Sequence, residues 1–139
     1  LYLDLDKFKA VNDAHGHPVG DALLQETARI IRPLLREDDL LSRFGGEEFV
    51  ILLAGVDGRV GARVAERIRE AVEAGARPVP ATISVGVAEI APGEEIEQAL
   101  ERADGALYQA KQAGRNRVVV YPPHFTAPVV EPFPVENPP

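Results

Sequence analysis

At 139 residues, with a net charge of −7, 45% hydrophobic and 27% charged residues, the chain is long enough for one domain with a proper core. The acidic balance argues against a broad nucleic-acid-binding face, which needs clustered Lys and Arg. It leaves room for a small phosphate ligand in a locally positive or metal-bridged pocket. The absence of cysteine removes disulfide and thiolate chemistry, and no apolar run approaches transmembrane length.

The first residues, LYLDLD, alternate: Leu1, Leu3 and Leu5 on one side, Tyr2, Asp4 and Asp6 on the other, the pattern of a half-buried strand. Asp6 then suits the N-cap of a short helix over about Lys7–Ala14, which HGHPVGD breaks. A longer helix is predicted from about Gly20 to Arg36, with Leu24, Ala28, Ile31 and Leu35 at helical spacing and Pro33 kinking its last turn. LLSRF and EFVILL read as two strands of a hairpin around Gly45 and Gly46. Val60, Val64, Ile68 and Val72 form the stripe of the next helix. TISVGVAEI is β-rich, and Gly86 within it signals a bulge or a close approach. Ile96, Leu100, Ala103, Leu107 and Ala110 give the last helix its buried face, Gly114 ends it, and RVVVY closes the sheet.

The predicted order is β-α-α-β-β-α-β-α-β, an α+β layer sandwich with helices on a mainly antiparallel sheet. Residues 122–139 hold seven of the twelve prolines and no Lys or Arg, so they are expected to be a proline-rich tail or linker beyond a domain at 1–121. The chain starts within a strand and lacks methionine and any signal peptide, the marks of an excerpt from a longer protein.

Two carboxylates on separate strands, Asp4 near a strand end and Glu47 just after the hairpin glycines, suit Mg²⁺, which takes a few hard oxygens plus water and substrate phosphates. If their strands are neighbours, both lie on one sheet edge with the start of the short helix. There the amides of Phe8 and Lys9 lack intrahelical partners and can meet an anion. Lys111 and Arg115, a helical turn apart, add positive charge. Together these are the parts of a metal-dependent nucleoside triphosphate site. Structural readings stand beside them: Lys111 and Arg115 also complement a helix dipole, and Gly-Gly turns are often only turns. His15 and His17 offer too few ligands for zinc.

DLDKFKAVNDAHGHPVGDALL, RFGGEEFVILL, TISVGVAEI and ADGALYQAKQAGRNRV resemble, in order, the successive signatures of the GGDEF domain, the diguanylate cyclase catalytic domain, in its GGEEF form. The resemblance spans Leu3 to Tyr121. It implies a fold akin to the palm of class III nucleotidyl cyclases and polymerases, and condensation of two GTP into cyclic di-GMP with release of pyrophosphate. It further implies that Asp4, Glu47 and the carbonyl near Leu5 hold Mg²⁺ (or Mn²⁺), and that Glu48 acts near the attacking 3′-hydroxyl. Asn12 and Asp21 match the positions that read guanine; the backbone at Phe8 and the side chains of Lys9, Lys111 and Arg115 match those that touch phosphates. Guanine carries N–H donors at N1 and N2 that a carboxylate can accept and that adenine lacks, which suits Asp21 to that task.

One domain would hold one GTP, so the reaction implies a second copy facing the first. REDD, Arg36 to Asp39, matches an inhibitory RxxD site for the product, with Arg67 as a secondary contact. The family's pattern also implies an upstream sensory or regulatory domain, a cytoplasmic setting (free or in a membrane-bound bacterial protein), no nucleic-acid partner and no membrane contact from this segment. Two departures stand out: Glu47 replaces an Asp, and an initial helix expected before the first strand is absent. The alternative reading is a non-catalytic module that binds GTP or cyclic di-GMP to regulate an attached domain.

Overall fold

The computed structural model of the chain describes residues 1–121; the predicted proline-rich tail, 122–139, lies outside the described residues. In chain order the elements are β1 (Tyr2–Leu5), α1 (Phe8–His15), α2 (His17–Ile31), β2 (Leu40–Arg43), β3 (Glu48–Leu52), α3 (Gly58–Gly75), β4 (Ile83–Val87), α4 (Ile96–Gln112) and β5 (Val118–Val120). The expected order holds, with a short 3-10 turn, Arg32–Leu34, added after α2.

The boundaries that shift do so for local reasons. Helix α2 begins at His17 rather than Gly20, because Pro18 is compatible with a first turn whose amides have no intrahelical partners. The break before it is Gly16 alone, at φ 89°. Pro33 does more than kink the helix: α2 stops at Ile31, and the chain tightens through the 3-10 turn into extended backbone at Leu35. Asp6 is not the cap of α1. Lys7 takes the N-cap position in a left-handed conformation, φ 55°, with no side-chain capping bond, and Asp6 turns inward.

The five strands lie in the order β2-β3-β1-β4-β5, with three antiparallel pairs and one parallel pair, β4 with β5. The fold is α+β, a mixed and mainly antiparallel sheet flanked by helices. A parallel pair needs a crossover, and α4 is that crossover. One sheet face packs Leu3, Leu5, Ile51, Ile83, Val85 and Val87 against Leu23, Leu24 and Ile31 of α2 and Ala65, Ile68 and Val72 of α3. Burying each such large side chain contributes about 1.5–3 kcal/mol.

Helix α4 covers the opposite face, and it comes very close. A Cβ on Gly86 of β4 would lie 2.0 Å from the Ala103 carbonyl oxygen and 2.4 Å from the Leu107 nitrogen. Gly86 therefore marks a close approach, as the sequence suggested, not a bulge. The buried residues of α4 are Ala99, Ala103, Ala106, Leu107 and Ala110. Ile96, assigned to this face from its spacing, is 37% exposed. A run of alanines lets the helix backbone settle on the sheet where a large side chain would hold it off. In α3 the buried stripe likewise starts at Gly61 and Ala65 instead of Val60 and Val64. The cover of α4 also overturns the half-buried reading of β1, since Asp4 and Asp6 are 6% and 8% exposed.

Candidate active site

Strand register brings the acidic side chains to the α4 face. Asp4 on β1 lies opposite Glu48 on β3 and Ser84 on β4. Glu47 immediately precedes β3, and its carbonyl accepts the Leu5 amide at 3.2 Å. From α4, the Lys111 ammonium donates to Asp4 Oδ2 at 2.6 Å. Burial pushes the Asp4 carboxyl up to about 6; Lys111 opposes the shift, and the negative charges of Glu47 and Glu48 add to it. The three carboxylates read from the sequence thus share one electrostatic site, with Lys111 as the cation that answers Asp4.

Two further groups complete this corner without having been singled out in the sequence. The Tyr2 hydroxyl donates to Glu48 Oε1 at 3.1 Å, and burial followed by that bond raises the phenol to about 12. Asp104, two helical turns before Lys111, has its carboxyl raised by burial and then by Glu48, with Lys111 acting against the rise. The seven-residue spacing from Lys111 was the available signal for Asp104. Tyr2 gave none beyond its place two residues before Asp4.

The hairpin tip spans residues 44–47, a four-residue loop, so Glu47 stands outside the strand and Glu48 opens it. Neither Gly45 nor Gly46 has a positive φ. Their value lies in space: a Cβ on Gly45 would come within 3.0 Å of Glu48 Oε1, and a Cβ on Gly46 would face open surroundings. Arg43 fastens the loop from within. Its Nε and Nη2 donate to the Gly46 carbonyl at 3.1 and 2.8 Å, and Nε also reaches the Gly45 carbonyl at 3.3 Å.

The pair expected to read guanine lies on α1 and α2, which pack together at Gly20. Asn12 Oδ1 is buried without a hydrogen-bond partner, and a Cβ on Gly20, the residue before Asp21, would lie 1.9 Å from it. Asp21 itself lines a cleft of about 380 Å³ floored by Leu24, Ala28, Leu41 and Phe49, with Arg32 and Arg43 at its rim. An apolar floor with polar groups at one edge suits a flat heterocycle.

The residues assigned to phosphates are dispersed. Lys9 pairs with Asp13 at 3.1 Å in open solvent, Lys111 is engaged by Asp4, and Phe8 opens α1. Arg115 stands in a tight turn after α4 at φ 64° and lines, with Lys7, a cleft of about 730 Å³.

At the RxxD segment, Asp39 Oδ2 accepts the Arg36 amide at 2.8 Å and Oδ1 accepts the Ala54 amide at 3.0 Å. The Arg36 guanidinium donates to the Ala54 carbonyl. Burial alone would raise the Asp39 carboxyl, but the Ala54 and Arg36 amides and then the guanidinium hold it below the usual range. The segment is therefore a self-satisfied joint between the approach to β2 and the exit of β3. Arg67 is exposed on α3, and among the described residues no hydrogen bond or ion pair joins it to Arg36 or Asp39.

The donor set at the acidic corner suits a cation. Asp4, Glu47 and the Leu5 carbonyl are hard oxygens, and the ammonium already drawn to Asp4 shows that the position favours positive charge. Among the described residues no group of three or more His, Cys, Asp or Glu side chains could by itself hold a metal ion. Mg²⁺ held by one or two carboxylates and completed by substrate phosphates needs no such group, so the residues fit it.

This sheet, with acidic side chains converging from β1 and the β2–β3 hairpin, defines the class. The family profile described as "Diguanylate cyclase, GGDEF domain" matches residues 1–117, and the chain belongs to the GGDEF family. Diguanylate cyclase A of Treponema denticola is 42% identical over 126 residues, covering 86% of this chain and 34% of the relative. The GGDEF domain of DgcB from Caulobacter crescentus, solved in complex with c-di-GMP, superposes with a TM-score of 0.80 at 37% identity, covering 86% of this chain and 74% of that one. The active GGEEF domain of a diguanylate cyclase from Vibrio cholerae gives a TM-score of 0.80 at 31% identity, covering 86% and 79%. This chain spans about a third or less of the length of the first curated relatives it matches. No helix among the described residues is long and apolar enough to cross a membrane.

Proposed function

We propose that this chain is the catalytic unit of a diguanylate cyclase that condenses two GTP into cyclic di-GMP and releases pyrophosphate. The observation that carries the reading is the Asp4 carboxylate, raised first by burial and further by Glu47 and Glu48, and met by Lys111 on the face that α4 covers. The GGEEF form of the hairpin is compatible with activity, as in the active GGEEF domain of the Vibrio cholerae diguanylate cyclase.

In this reading Asp21 and Asn12 hold the guanine edge, and the buried, unpartnered Asn12 Oδ1 is the acceptor most in need of a donor. Lys111 and Arg115 bind phosphate oxygens, Lys9 and the Phe8 backbone the terminal ones. Glu48, held by Tyr2, orients or accepts the proton of the incoming 3′-hydroxyl. A divalent cation (Mg²⁺ or Mn²⁺) bound by Asp4, Glu47 and the Leu5 carbonyl would neutralise the triphosphate and ease departure of pyrophosphate. Each copy presents one GTP to its partner, so rate should rise faster than linearly with dilute protein. Arg36, Asp39 and Arg67 serve as the product site once the local bonds of Asp39 open; the bound c-di-GMP in the DgcB structure supports a product site in that relative.

The test is a tethered dimer of the domain, residues 1–121, incubated with GTP and Mg²⁺ and assayed for cyclic di-GMP. Product formed by the wild type and lost in Glu47→Ala supports the reading. Nucleotide binding without product, in a folded and paired protein, overturns it in favour of a regulatory binding module.

A further inference from the structure

Two consecutive residues without glycine's freedom, Arg115 at φ 64° and Asn116 at φ 46°, occupy left-handed backbone between α4 and β5. Such conformations are costly for side-chain-bearing residues and persist where surrounding contacts over-determine them. Here the long-range contacts fall on Asn116. Its amide donates to Asp6 Oδ2 at 3.0 Å, its Oδ1 accepts from Arg69 Nη1 at 2.8 Å, and its Nδ2 donates to Glu73 Oε2 at 2.8 Å. Each partner is itself anchored. Asp6 is 8% exposed and also accepts the hydroxyls of Thr82 and Ser84 at 2.7 and 2.6 Å. The Arg69 side chain is 13% exposed and bridges Glu66 and Glu73. By contrast the Arg115 side chain is exposed, and only its backbone is held, its amide by the Ala110 carbonyl and its carbonyl by Arg117 Nε, each at 3.0 Å.

We propose that Asn116 is a positioning residue for Arg115: clamped by α3 on its side chain and by Asp6 on its amide, it holds the turn that aims the guanidinium at a nucleotide triphosphate. The inference rests on the reading of Arg115 as a phosphate contact. The structural contrast is clear. Asn tolerates left-handed backbone better than most residues, and if that were its whole purpose glycine would serve as well. The clamp requires the amide side chain; the backbone conformation does not.

The experiment measures binding of 3′-deoxy-GTP with Mg²⁺ by calorimetry to the full chain and to Arg115→Ala, Asn116→Gly and the double variant, with melting recorded for each. 3′-Deoxy-GTP lacks the attacking hydroxyl and stays intact. Losing one charged contact should weaken Arg115→Ala about tenfold. Asn116→Gly should weaken binding about fivefold, because the competent turn is then populated about one-fifth of the time. The double variant should be no weaker than Arg115→Ala alone, which damage unrelated to Arg115 would not produce. If Asn116→Gly binds as the wild type does while Arg115→Ala is weakened, the clamp is refuted and the phosphate reading stands. Multiplied losses in the double variant also refute it. A silent Arg115→Ala, or a wild type that takes up no 3′-deoxy-GTP, overturns the underlying reading and this inference with it. Should Asn116→Gly fail to fold, Glu73→Ala on the exposed end of the clamp decides. A loss of about twofold or more that vanishes in the Arg115→Ala background supports the inference, and no loss refutes it.

Discussion

Gly86→Ala tests how tightly the site depends on the seat of α4. The added methyl would lie 2.0 Å from the Ala103 carbonyl oxygen and 2.4 Å from the Leu107 nitrogen, both backbone atoms that no rotamer change can move. Restoring an ordinary contact near 3.4 Å requires the helix to lift by about 1.4 Å, against the packing of Ala99, Ala103, Ala106, Leu107 and Ala110. Overpacking of this kind costs about 1–3 kcal/mol, and the backbone obstacle puts this case at about 3. For a domain of this size that lowers the melting temperature by roughly 10 °C. Function should suffer further, because Lys111 and Asp104 ride on the same helix, and a misplacement of about 1 Å can cost 10²-fold in rate. Urea unfolding and cyclic di-GMP formation by a tethered dimer read the two effects separately. Gly46→Ala is the control, since its methyl meets nothing within 4 Å and stability should stay within about 0.5 kcal/mol. A Gly86→Ala protein with unchanged melting and rate would refute the close-seat argument.

Lys111→Ala leaves Asp4 buried without its cation. The cost should be about 1–3 kcal/mol at pH 8, below a fully buried pair because the Lys111 side chain is 33% exposed. In the wild type the folded Asp4 carboxyl titrates near 6, above its unfolded value, so this group favours folding most at acid pH and progressively less as pH rises through 6. The Lys111→Ala deficit should therefore shrink on acidification, and unfolding at pH 5 and 8 reads it; a deficit equal at both would argue against the pairing. Asp39 behaves in the opposite sense. Its depressed carboxyl stabilises the fold above the ordinary Asp range, a contribution lost as pH falls below about 4. Asp39→Asn keeps one acceptor for two amides and should cost about 1–3 kcal/mol in urea unfolding at neutral pH. Asp104→Asn removes a carboxyl that burial and Glu48 hold above its ordinary value, so the destabilisation its charged form brings at neutral and higher pH is relieved. Melting should change by no more than a few degrees, read by thermal unfolding at pH 5 and 8.

The order of elements was legible because each carries its own period or breaker: the alternation of LYLDLD, the glycine at 16, the proline at 33. Gly86 was legible as a place of close approach, though only the packed helix shows that the approach is made by a backbone. The acidic corner was anticipated through Asp4 and Glu47, since a strand end and a hairpin tip can be placed from sequence once their strands are taken as neighbours. What was not legible arises from contacts distant along the chain. Asp6 was read as a cap because nothing local reveals Thr82, Ser84 and the Asn116 amide. Ile96 was read as buried because spacing reports a periodicity but not which residues the sheet reaches. Arg43 acts through bonds to two loop carbonyls and Tyr2 through one bond to a carboxylate, and such isolated polar contacts leave no pattern in the sequence.

The strand order carries one more consequence. Asp4 lies on β1, the middle of five strands, paired on both sides, whereas Glu47 sits on a loop whose outer strand, β2, is the sheet's edge. Amides along β1 can exchange with solvent only when the whole sheet opens, while those around residues 44–47 need only the outer hairpin to fray. In deuterium uptake the two halves of the acidic corner should differ by orders of magnitude in protection. Asp4 is the fixed post of the site, and Glu47 stands on its more readily exchanging side.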